Sequence, residues 1–282
     1  MKRTVSIQDI SCFGRCSLTV ALPTLSAMGI ETAIVPTAIL STHTAGFQGF
    51  TFCDLTEEMD KIAAHWQKEG ITFDSIGTGY LGSDEQIATV LSFFETFGKD
   101  ALIFVDPVMA DHGKLYPAFS ADFPAKMARL CEKADVIVPN LTEAAFLLGE
   151  DCVLSGYDEA YIHALLKRLT SRFGCQVAIV TGVVYTPDQQ GVVAYDAKED
   201  RFYSYFGENL PVTFHGTGDV FSSSLCGALT LGMELTAALK VAVDFTIAAI
   251  RATMGVEDRY WYGVNFEAGL SDLAATCQDF KA

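Results

Sequence analysis

Basic residues are scarce in this sequence. Its 282 residues carry 19 Lys and Arg against 35 Asp and Glu, giving a net charge of −16 and a pI near 4.6. A nucleic-acid binder needs a basic face to meet phosphates, so no nucleic-acid partner is expected. Long hydrophobic runs are missing too. No window approaches the roughly 20 apolar residues that cross a bilayer, so no membrane partner is expected. Met1-Lys2-Arg3-Thr4-Val5 runs straight into a strand pattern, without the apolar stretch and cleavage site of a secretory signal. The expectation is a cytoplasmic protein whose mean hydropathy of +0.27 reflects a buried core. Among the eight cysteines there is no C-x-x-C pair, and no His cluster accompanies Cys12 and Cys16. Reduced thiols are therefore expected rather than zinc or disulfides. No Pro/Gly/Ser-rich linker, charge block or clear repeat divides the chain, so residues 1–282 read as one continuous domain.

What the sequence has is a regular alternation of short apolar runs and amphipathic stretches. Strands are expected over 4–8, 33–40 and 74–77, and helices over 17–28, 54–68 and 83–97. Ser83 reads as the cap of the third helix, with Gln86 completing a capping box. Three runs, 101–106 (ALIFVD), 136–139 (VIVP) and 177–181 (VAIVT), are unbroken apolar segments suited to strands covered on both faces. Segments 191–195 and 202–206 read as an antiparallel edge hairpin, and 218–231, 236–253 and 266–278 as helices. The order predicts a three-layer α/β/α fold around a mostly parallel sheet. Ligands of such sheets bind at the carboxyl ends of the strands, where Asp106, Asn140 and Thr181 fall. No G-x-G-x-x-G follows the first strand, so a dinucleotide-dependent oxidoreductase is not expected.

The segment Thr213-Phe214-His215-Gly216-Thr217-Gly218-Asp219 leads into a helix rich in small residues. Gly216 and Gly218 permit a tight backbone with exposed N–H groups, and the helix start adds a positive dipole end. Asp219, an acid at an anion site, can take a proton from an attacking hydroxyl while N–H groups of Gly216, Thr217 and Gly218 hold a phosphoryl group. In an isolated G-x-G-D, the same acid would be no more than a helix cap.

This segment resembles the ribokinase-superfamily signature [DN]-T-x-G-A-G-D, departing at its first two positions and at Thr217. Asp106-Pro107-Val108-Met109, Pro139-Asn140-Leu141-Thr142-Glu143, Gly79-Tyr80-Leu81-Gly82-Ser83 and Ser41-Thr42-His43-Thr44 resemble pyridoxal (vitamin B6) kinase motifs, in the same order along nearly the whole chain. The resemblance implies a ribokinase-like fold, phosphoryl transfer from ATP, Mg²⁺, a monovalent cation such as K⁺, and a homodimer. With so few basic residues, the nucleotide would be met by metal, backbone and helix ends. By resemblance Asp106 and Glu143 attend the Mg²⁺, directly or through water. Asn140, Thr181 and Gly182 meet the nucleotide, Asp111 and Lys114 belong to a flap over the substrates, and Phe214, with Pro211 and 262–266, forms an adenine slot. Asp9, His43, Thr44 and Tyr80 would hold the acceptor ring, Tyr80 by stacking and the others by hydrogen bonds.

The acceptor expected is the 5′-hydroxymethyl group of pyridoxal, pyridoxine or pyridoxamine. Many pyridoxal kinases carry Ser in place of Asp9, and Ser11-Cys12-Phe13-Gly14-Arg15-Cys16-Ser17 is also similar to hydroxymethylpyrimidine kinases. A kinase of that kind is the alternative, and a non-catalytic vitamin or nucleotide sensor a third. The absence of G-G-x-x-x-N and of a separate lid insertion argues against ribose, fructose or adenosine.

Overall fold

In a computed structural model describing residues 1–278 and Phe280, a nine-stranded sheet runs through the molecule. Its strands are drawn from β1 (Arg3–Ser11), β2 (Glu31–Leu40), β3 (Phe52–Asp54), β4 (Ser75–Thr78), β5 (Leu102–Val105), β6 (Ala110–Asp111), β7 (Lys114–Leu115), β8 (Val136–Ile137), β9 (Val177–Thr186), β10 (Gln189–Asp196) and β11 (Arg201–Glu208). The order is β11-β10-β9-β8-β5-β4-β1-β2-β3, with β6 and β7 forming a separate hairpin. Strands β9, β8, β5, β4, β1 and β2 are parallel, and β10–β11 and β3 add antiparallel edges.

The apolar runs form inner strands because successive side chains enter different cores. In β5, Ile103 and Val105 join one core and Phe104 the other. The first core is covered by α2 (Thr56–Lys68), α3 (Asp84–Phe97), α4 (Phe123–Cys131), α5 (Leu141–Leu148) and α6 (Glu159–Phe173). The second lies under α1 (Leu18–Ala27), α7 (Thr217–Thr230), α8 (Leu235–Thr253) and α10 (Leu270–Gln278), the short α9 (Glu257–Tyr260) preceding α10. Helix α7 sits close to α1 because Gly227 has no Cβ. One built there would lie 2.5 Å from the Met28 sulfur. The fold is ribokinase-like, α/β with the expected three layers and edge hairpin.

Several boundaries differ from the sequence expectation. Asp54 belongs to β3, and α2 starts at Thr56. Gln86 does not close a capping box on Ser83. Its Oε1 accepts from Gly82 N–H (2.8 Å), while its Nε2 donates to the Thr37 carbonyl (3.0 Å), tying α3 to β2. The strand predicted to stop at Thr181 runs on to Thr186 through Gly182, whose φ of 73° and shifted register mark a bulge. The last predicted helix divides into a 3₁₀ turn, Phe266–Gly269, and α10. Cys12, Cys16, Cys53, Cys131, Cys152, Cys175 and Cys226 are free thiols, and no described helix is long and apolar enough to cross a membrane.

Candidate active site

The carboxyl ends of β1, β4, β5 and β8 bring Asp9, Tyr80, Asp106 and Asn140 to one edge of the sheet, and α7 begins beside them. Gly216 caps α7 with φ 80°, which a residue with a Cβ adopts only under strain. A Cβ there would also stand 1.9 Å from the Arg15 carbonyl oxygen. The 12–17 loop and the 213–219 turn therefore touch backbone to backbone, and glycine is what lets them. Asp219 lies in the first turn of α7, half-buried, its carboxyl raised to about 7 by burial and then by the charge of Asp9.

Ser17 joins these two acids. Its hydroxyl donates to Asp9 Oδ1 at 2.6 Å and its backbone N–H faces Asp219. Ser17 has φ 55° and ψ −132°, a costly conformation for a residue with a side chain, held by its bridge to Ile10 and by the start of α1. Sequence reasoning missed Ser17, because nothing local announces that backbone. Asp9 accepts a second bond from Ser11 Oγ (3.1 Å) and is 5% exposed.

Asp106 follows the last residue of β5. Its Oδ2 accepts from Ser222 Oγ on α7 at 2.5 Å, so the small-residue helix supplies a partner as well as close packing. A cavity of about 20 Å³, room for about one water, lies between Asp106, Asp219, Gln8 and Thr78. Burial raises the Asp106 carboxyl, and the Asp219 charge adds to it.

Of the two ways for Glu143 to attend a cation, directly or through water, its hydrogen bonds favour the second. Glu143 closes a capping box with Asn140, accepting Asn140 N–H at Oε2 (3.0 Å) while Asn140 Oδ1 accepts Glu143 N–H (2.9 Å). Its Oε1 accepts from Met109 N–H (3.0 Å) and Ala110 N–H (3.4 Å). With both oxygens engaged by backbone, Glu143 would reach a cation through water. Burial, then Asp106, hold its carboxyl well above the ordinary range. Among the described residues no three His, Cys, Asp or Glu side chains could hold a metal together. Asp106 nonetheless offers the hard oxygen donor that Mg²⁺ takes, and Mg²⁺ keeps several waters and phosphate oxygens as ligands. The residues fit a cation held by Asp106 directly and by Glu143 at one remove.

Asp111 and Lys114 pair across the β6–β7 hairpin, with His112 and Gly113 at positive φ making its turn. The hairpin is rooted by Asn140 Nδ2 donating to the Ala110 carbonyl (2.8 Å) and Gly113 N–H donating to Thr142 Oγ1 (3.0 Å). Thr181 pairs with Asn140 through an isolated bridge.

The expectation that His43 addresses the substrate through a nitrogen is corrected. Nδ1 accepts from Ala45 N–H (3.2 Å) and Nε2 donates to the Tyr262 carbonyl (2.7 Å), so both nitrogens are spent on backbone. His43 is 5% exposed and burial lowers its pKa, in keeping with a neutral ring pinning the 262 region to the 43–45 turn. Thr44 is exposed on the same turn. Tyr80 is half-buried, its ring 5.4 Å from Phe119, close enough to Asp9 that burial and that charge raise its hydroxyl pKa.

The predicted adenine slot is partly redrawn. Val264 and Phe266 are core residues, at 0% and 1% exposure. Phe214 instead shares an open hollow of about 520 Å³ with Val212, Thr213, Asp258 and Trp261.

An acid beside an anion-binding helix start, with a second acid across from it, is equipped for phosphoryl transfer to a hydroxyl. The family model described as phosphomethylpyrimidine kinase matches residues 18–263. The chain belongs to that family. Among structures similar to this kinase-family chain is a candidate phosphomethylpyrimidine kinase from Bacteroides thetaiotaomicron, solved with pyridoxal. It is 41% identical with a TM-score of 0.90, over 96% of this chain and 95% of that one. A pyridoxal kinase from Lactobacillus plantarum is 31% identical with a TM-score of 0.89, over 98% and 97%. A pyridoxine/pyridoxal/pyridoxamine kinase from Bordetella avium is 27% identical over 263 residues, 88% of this chain and 84% of its own length. The chain is a kinase of the ribokinase superfamily.

Proposed function

We propose that this kinase transfers the γ-phosphoryl group of ATP to the 5′-hydroxymethyl group of pyridoxal, pyridoxine or pyridoxamine. The observation that carries the reading is Asp219, a half-buried carboxyl raised to about 7 in the first turn of α7, beside the Gly216 turn. A base in that range accepts a hydroxyl proton near neutral pH. The acceptor oxygen attacks phosphorus as Asp219 takes its proton, and the bond from phosphorus to the ADP oxygen breaks. N–H groups of Gly216, Thr217 and Gly218 hold the charge of the moving group. Asp106 would hold Mg²⁺, with Glu143 acting at one remove. When bound, Mg²⁺ neutralises charge on the phosphate oxygens. Asn140, Thr181 and Gly182 border the phosphates, Asp111 and Lys114 close over them, and Phe214 with Trp261 flanks the base. Asp9, Thr44 and Tyr80 surround the acceptor ring, with His43 holding the wall behind Thr44.

The pyridoxal-bound Bacteroides structure at 41% identity supports a B6 acceptor. The family description supports the second reading, a hydroxymethylpyrimidine acceptor. ATP consumption measured with each B6 vitamer and with hydroxymethylpyrimidine tests both. Turnover on the vitamers well above that on the pyrimidine is expected, the reverse order favours the second reading, and no consumption with any of them refutes both. The same reading includes a homodimer, which light scattering of the purified protein checks, and a cytoplasmic location, which cell fractionation checks.

A further inference from the structure

The acid at the end of β1 has an unusual set of neighbours. Asp9 is 5% exposed, and its side-chain partners are two neutral hydroxyls, Ser17 Oγ on Oδ1 at 2.6 Å and Ser11 Oγ on Oδ2 at 3.1 Å. No Lys, Arg or His stands within ion-pair distance of it among the described residues. The groups its charge does reach, Asp219, Tyr80 and Cys16, are acids themselves. A buried carboxylate without a cation is costly, and removing it from water is tolerated where a ligand supplies the missing partner. Each oxygen of an ionised carboxyl accepts about two hydrogen bonds, so beyond the two serines and the Asp9 backbone N–H the carboxyl keeps capacity for a further donor.

We infer that Asp9 makes the acceptor pocket selective for rings bearing a nitrogen-borne proton, either a protonated ring nitrogen or an exocyclic amine. This rests on the ring-alcohol reading above. A third hydroxyl would repeat what Ser11 and Ser17 already give and would leave the charge uncompensated. An N–H⁺ donor compensates it, and such charge-assisted bonds are roughly twice as strong as neutral ones. Burial holds the Asp9 carboxyl above its ordinary range. That burial disfavours the Asp9 charge in the empty pocket, and an N–H⁺ donor offsets the cost. Ser17, bonded to Asp9 and facing Asp219, places this donor subsite within one residue of the base.

Calorimetry without nucleotide tests the inference, using pyridoxine, pyridoxamine and the benzene isostere of pyridoxine, in which CH replaces the ring nitrogen. The wild-type chain should bind at least one nitrogen-bearing probe about tenfold to a hundredfold more tightly than the isostere, the range one charged hydrogen bond supplies. A gain with pyridoxine marks the ring nitrogen as donor, and a gain with pyridoxamine alone marks the amine. Asp9→Asn should abolish that gain while leaving the isostere's affinity within about twofold. Asp9→Ser, measured alongside with far-UV circular dichroism, serves if the Asn variant misfolds. Equal binding of all three probes to the wild type overturns the inference, as does an equal loss for all three in both variants. ATP consumption is scored separately. Selective binding without turnover on any ring alcohol sinks the kinase reading alone, and turnover with unselective binding sinks the Asp9 inference alone. Failure of every probe to bind the wild type sinks both.

Discussion

Replacing Asp219 by Asn should make the protein more stable and much less active at once. In an unfolded chain the Asp219 carboxyl titrates near 3.8, whereas in the fold burial, and then the Asp9 charge, move it to about 7. Between these values the folded state keeps a proton that the unfolded state has lost. The native state therefore loses stability as pH rises from 3.8 to 7, and the deficit is complete above 7. A difference of about three pH units at 1.36 kcal/mol each sets a ceiling of about 4 kcal/mol, shared with Asp9 and Asp106, which interact with the same charge. Asn has nearly the same shape and does not ionise. Urea unfolding should show Asp219→Asn stabilised at pH 8 by up to about 4 kcal/mol, with the gain vanishing as pH approaches 4. Turnover should fall roughly 10²- to 10⁴-fold, the contribution of a positioned base. A gain that does not change with pH, or turnover within threefold of wild type, would refute the assignment of Asp219 as a buried base.

Gly216→Ala forces a Cβ to within 1.9 Å of the Arg15 carbonyl at φ 80°, so the turn must open. Backbone strain of roughly 1–3 kcal/mol should lower the melting temperature, and turnover should drop with it; wild-type values for both would show that the loop contact is soft. Glu143→Gln removes charge from three backbone N–H bonds and should cost about 1–3 kcal/mol. Hydrogen exchange should quicken at Met109, Ala110 and Asn140, and unchanged protection there would refute the clasp. Phe104→Ala, at a side chain 1% exposed in the second core, should cost about 3–5 kcal/mol in urea unfolding, and a loss below 1 kcal/mol would misplace the core.

The inner strands were legible because a sheet covered on both faces writes continuous apolar runs, as in Leu102–Val105 and residues 177–180. Helix α6 carries its signal plainly, with Asp158 capping and Ile162, Leu165, Leu166, Leu169 and Phe173 on one face, but it lies between the apolar runs that guided the reading. Strand β3 has no such signal. All three of its residues are exposed, and it exists only because β2 offers a free edge. At the site, Gly216–Asp219 could be read locally, since glycines and an acid at a helix start describe their own geometry. Motifs named Glu143 and His43 but did not show what holds their atoms, because the partners are backbone groups at Met109, Ala110 and Tyr262. The link from Asp9 to Asp219 through Ser17 depends on a backbone conformation that no side chain encodes.

The clasp at Glu143 also sets where this protein can vary in length. One carboxylate holds Met109 and Ala110 at the same moment as the first residue of α5's cap, so an extra residue between Asp106 and Ala110 would have to break those bonds to fit. The hairpin's other tether, Thr142 to Gly113, lies at its turn, and His112 beside it is exposed. Insertions should therefore be confined to the neighbourhood of His112, and relatives with longer flaps should have grown them at the tip while keeping the stem from Asp106 to Ala110 at constant length.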